Sequence, residues 1–148
     1  MTQLTAVRDR LERADGLPAL LEAAHQGFAV ALAAMRAHED PASEWFCGFV
    51  MAAAAAADGR DALLFAPSMP QRGSPGMRDL GTQPPAGRAV RDDPAGSVAG
   101  DIAALCGLAA VRLARAASHA PDPGDQDACA RAARSARQIC ELLAGGGT

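Results

Sequence analysis

Between Glu44 and Asp58 the chain runs for thirteen residues, WFCGFVMAAAAAA, without one charged side chain. A stretch this apolar must be hidden from water, either in lipid or inside a protein core. As a helix the run rises only about 20 Å, against a bilayer hydrocarbon thickness of about 30 Å. Six of its thirteen residues are Ala, which carry little transfer energy. The run therefore reads as a core helix of a bundle, and no membrane contact is expected.

Its neighbours follow the same pattern. Leu4, Val7, Leu11 and Ala14 recur at helical spacing, with Arg8, Asp9, Arg10 and Arg13 turned away. Gly16 suits a left-handed helix stop, and Pro18 suits the first turn of a second helix. Leu17, Leu20, Leu21, Ala24, Phe28, Ala31 and Met35 then form one stripe, with Glu22, Gln26, Ala33 and Arg36 on the other side. Asp40 followed by Pro41 predicts the cap and first residue of the third helix. That helix either continues past Gly59 or breaks there, and it ends by Pro67.

Residues 67–96 hold six Pro and five Gly in thirty positions, a composition that propagates neither helix nor sheet. A flexible loop is expected there, leading to a fourth helix capped by Ser97. Val98, Ile102, Cys106, Ala109 and Leu113 form its apolar face. A fifth helix over 126–144 turns Cys129, Ala132, Ala133, Ala136, Cys140 and Leu143 inward and Arg131, Arg134 and Arg137 outward, and 145–148 read as a frayed tail. The expected fold is all-α: a single four- to five-helix bundle over residues 1–148, with a long Pro/Gly-rich loop between helices 3 and 4. Ala on the inward faces lets helices approach closely but buries little area, so association with a second copy or a partner is a natural remedy.

Composition narrows the function. The chain has no Lys, no Asn and no Tyr, and all fourteen basic side chains are Arg, a bias expected of a GC-rich bacterial genome. With a net charge of −3 and no basic patch, a nucleic-acid partner is not expected. The N-terminal MTQLTAVRDRLERAD lacks the continuous apolar segment of a secretory signal. A cytoplasmic setting is expected, with the four Cys residues reduced.

No cofactor is implied by the cysteines, which are 59, 23 and 11 residues apart with no CxxC, unlike zinc or iron–sulfur patterns. Cys129 and Cys140 lie about 16 Å apart along one helix, too far for a shared ion or a disulfide. Glu22 and His25 form a Glu-x-x-His pair, as in di-iron bundles. With a single copy of the motif, a metal site needs a two-fold dimer and a further Glu, such as Glu12 or Glu44. His38 and His119 are expected at helix C-termini, where imidazolium is favoured by the dipole.

No complete catalytic set is visible. The first functional expectation is a protein acting by association, as a homodimer or an accessory subunit. The alternative is a small-molecule-binding or enzymatic bundle. Its pocket would lie near Trp45, Phe49 and Cys47, with loop 67–96 as a lid whose Arg72 and Arg78 grip an anion.

Overall fold

Five α-helices and no strand make up the described part of the chain, residues 2–70 and 94–145 of a computed structural model. They are α1 (Gln3–Arg13), α2 (Leu17–Ala37), α3 (Phe46–Leu64), α4 (Ala95–His119) and α5 (Pro123–Gly145). All five contribute to one hydrophobic core. Its largest wholly buried side chains include Leu11, Leu21, Met35, Phe49, Leu63, Ile102, Leu113 and Ile139.

Local chemistry sets the boundaries. Thr2 caps α1 by accepting from the Thr5 amide (3.1 Å), and Gly16 makes the turn into α2 at φ 86°, a left-handed value that suits glycine. The expected start of α3 at Pro41 is not found. The Ala42 amide donates to the Asp40 carboxylate (3.0 Å) and the Ser43 amide to the Asp40 carbonyl (2.9 Å), closing a turn instead. The Trp45 amide then donates to Ser43 Oγ (3.1 Å), and helix begins only at Phe46. Once begun, α3 passes Gly59 without a break.

Helix α4 starts two residues before Ser97, with Pro94 at its cap. Helix α5 starts three residues before Gln126. The Asp122 carboxylate accepts from the Gly124 amide (2.7 Å), and its carbonyl accepts from the Gln126 amide (3.0 Å). Most of the expected loop, residues 71–93, lies outside the described residues, as do 146–148. Its near end is anchored: the Ser68 amide and hydroxyl donate to the buried Asp125 carboxylate (2.9 and 2.6 Å).

Helices α2, α3, α5 and α4 pack as a ring in that order, and α1 lies against α2 and α4. Trp45 at the head of α3 packs against Gly96 at the head of α4. Pro67, just beyond the end of α3, meets Gly124 at the head of α5. So α3 and α4 run in the same direction at opposite corners, and α5 runs against both. The end of α3 and the start of α4 therefore sit at opposite ends of the bundle. A connection between them has to cover the length of α3, about 28 Å, which is why a tight turn cannot serve there.

Helix α2 is covered on more sides than its stripe predicts. Gln26, expected on the polar side, is buried because α1 packs over it, and Arg10 donates to its Oε1. Helices α2 and α4 are long and apolar enough to cross a membrane by length and composition, although much of each apolar window is buried within the bundle.

Candidate functional site

The expected pocket residues fall on different sides of α3. Trp45 and Phe49 are one turn apart and stack, with ring centroids 6.0 Å apart and planes at 27°. His38, at the end of α2, tilts against Phe49 at 6.1 Å. Phe49 is wholly buried and Trp45 half-buried, so the pair acts as the aromatic anchor of this end of the bundle. Cys47 lies on the opposite side of the helix and is exposed. The three residues thus do not converge, and Arg72 and Arg78 lie outside the described residues.

Glu22 and His25 are both half-buried on α2, and the additional candidates Glu12 and Glu44 are exposed. Among the described residues, no group of three His, Cys, Asp or Glu side chains is placed to hold a metal ion. His38 and His119 sit as expected. The Nδ1 of each bonds the carbonyl four residues back, Ala34 at 3.1 Å and Arg115 at 2.9 Å.

The main finding about the surface concerns α3. It is apolar on every side for its first three turns, yet only the side bearing Phe49, Ala52, Ala53, Ala55 and Ala56 is buried. Cys47, Val50, Met51 and Ala54 form an exposed stripe on the other side, with Val50 41% and Met51 56% exposed. Further along α3 the stripe becomes acidic, at Asp58 and Asp61. There it borders a groove of about 380 Å3 against α5, walled by Arg131, Arg134, Ser135 and Gln138. Phe65, 83% exposed, closes its end. Arg131 pairs with Asp127 (3.0 Å) and Asp61 with Arg60 (3.2 Å).

The sequence carried a signal for this surface. A helix with no polar face is either buried all round or partnered, and among the described residues α3 has neighbours on only part of its circumference. A second groove, of about 360 Å3, lies where α4 passes α2.

The cysteines offer little reactivity inside the fold. Burial pushes the Cys129 thiol up to about 11, with Asp125 adding to it. Cys106 is pushed up further by burial and by Cys140, and Cys140 itself is raised by its partial burial. No family model, no curated protein and no solved structure matches the chain, so its functional reading rests on its own residues.

Proposed function

We propose that this protein works by association, with a second copy docking along the exposed side of α3. The observation that carries the reading is the Cys47–Val50–Met51–Ala54 stripe: apolar side chains, two of them large, aligned at helical spacing and open to solvent. Isolated exposed apolar residues are ordinary, whereas a contiguous patch rimmed by polar groups marks an interaction surface.

The choice of a second copy rests on charge. A two-fold interface sets one patch against itself, so it must be complementary to itself. The flank of this stripe carries both signs side by side, Asp58 and Asp61 on α3 and Arg131 and Arg134 on α5. Size adds a constraint. A strip one helix wide and as long as α3 covers roughly 300 Å2, well below the roughly 800 Å2 per partner of a standard interface. The α5 wall and Phe65 therefore take part, and the dimer is of modest affinity. A reducing, cytoplasmic setting fits four free thiols, two of them fully buried.

Light scattering on a sizing column tests this. The wild type is expected to shift with concentration from the chain mass of 15.0 kDa towards twice that value. Met51→Glu, at an exposed position, should stay at the single-chain mass with an unchanged melting temperature. A wild type that remains at 15.0 kDa up to high micromolar concentration would overturn the reading.

A further inference from the structure

We infer that the groove between α2 and the end of α4 is a binding site for a small amphiphilic anion, an aliphatic monocarboxylate. This site is separate from the α3 stripe and does not depend on association. Its lining is Leu20 from α2, and Val111, Arg112, Arg115, Ala116 and His119 from one face of α4. Three of these side chains are apolar and three are basic. Among the described residues no carboxylate lines the groove, although the chain as a whole carries a net charge of −3. The volume of about 360 Å3 falls within the range of small-ligand pockets, about 300–1,000 Å3.

Arg112 gives the site its fixed point. Its Nη1 donates to the carbonyls of Leu11 (2.5 Å) and Glu12 (3.0 Å), and its Nη2 to that of Ala14 (2.9 Å). These carbonyls lie at the end of α1, so the guanidinium is held by dipoles rather than by a counter-charge. Neither Arg112 nor Arg115 has a carboxylate within ion-pair distance among the described residues.

The helix ends that meet here are the C-termini of α1 and α4, each supplying about half a negative charge, and the N-terminus of α2, supplying about half a positive one. With two guanidinium groups beside them, the lining keeps a net positive excess. A positive excess beside apolar side chains matches an anion with an aliphatic tail. Arg115, exposed at the rim, is the guanidinium free to fork onto a carboxylate. Val111, 64% exposed, offers the surface that a tail would cover, beside the half-buried Ala116.

Calorimetry of the full chain with octanoate, octanol and octylamine, all below their aggregation thresholds, tests the site. Octanoate is expected to saturate one site per chain, at least tenfold more tightly than octanol, with no saturable octylamine binding. Arg115→Gln and Val111→Asp, both at exposed positions, should each weaken octanoate at least tenfold while melting like the wild type. Met51→Glu should bind octanoate as the wild type does, which keeps this test independent of the α3 interface. Equal affinity for octanoate and octanol, octanoate binding unchanged by Arg115→Gln, or no saturation in the millimolar range would each overturn the assignment.

Discussion

The four cysteines differ through their surroundings. Cys106 and Cys129 sit inside the core, where a thiolate would lose its hydration, and both are raised for that reason. Cys140 is half-buried, with Sγ 3.5 Å from the Ala103 carbonyl. Only Cys47 is exposed, on the α3 stripe. Because the thiolate is the reacting species, a thiol reagent at neutral pH should modify one group quickly in the native protein and four in urea. Cys47→Ser should remove the fast phase. Rapid modification of Cys106 or Cys129 in the folded chain would show that the core is open. If a second copy covers α3, the Cys47 rate should also fall as protein concentration rises.

Helix contacts show how one atom sets the spacing of two elements. A Cβ added at Gly59 would lie 2.7 Å from the ring of Phe28, which is itself buried. Gly59 is therefore a point of tight contact between α3 and α2. At Gly100, by contrast, nothing lies within 4 Å of the same added atom. Alanine gains up to about 1 kcal/mol over glycine in a helix interior, whereas forcing extra volume into a packed core costs about 1–3 kcal/mol. Gly100→Ala should stabilise the protein by up to about 1 kcal/mol. Gly59→Ala should destabilise it despite the same propensity gain, by about 1 kcal/mol. Urea unfolding of the two variants checks the pair, and the opposite sign at Gly59 would mean that α2 and α3 are not locked there.

Elements also show what was legible in advance. The stripes of α2, α4 and α5 were readable because burial follows the helical period wherever one side faces the core. Boundaries were not, and the Asp-Pro dipeptide explains why. At Asp122-Pro123 the aspartate carbonyl accepts from the residue four on, and a helix follows; at Asp40-Pro41 it accepts from the residue three on, and a turn follows. The carboxylate makes the same contact in both places, to the amide two residues on. What differs is Ser43, whose hydroxyl accepts from the Trp45 amide two residues on, so that helix begins only at Phe46. The α2–α4 groove was not readable at all. Leu20 and Val111 are far apart in sequence, and Arg112 announces its role only when the end of α1 is beside it.

At the scale of the whole molecule, composition gives the bundle an unusual titration. The chain has no Lys and no Tyr, so between the α-amino group and arginine only its cysteines titrate in alkali. A thiol with a raised folded pKa keeps its proton in the native state at a pH where the unfolded chain has lost it. The native state then binds more protons than the unfolded one, and stability must fall as pH rises. For Cys129 the loss begins near the ordinary value of 9.0 and is complete by about 11. For Cys106 it continues to higher pH. Each such thiol contributes a slope of up to about 1.4 kcal/mol per pH unit while only the unfolded form is ionised. Urea midpoints should therefore be flat from neutral pH to about 8.5 and fall steeply from 9 to 10.5. A variant with Cys106, Cys129 and Cys140 all replaced by Ala should lose most of that fall, whatever its stability at neutral pH. If the variant declines as steeply as the wild type, the thiols are not buried as protonated groups. The packing that buries Cys106 on α4 and Cys129 on α5 would then be wrong.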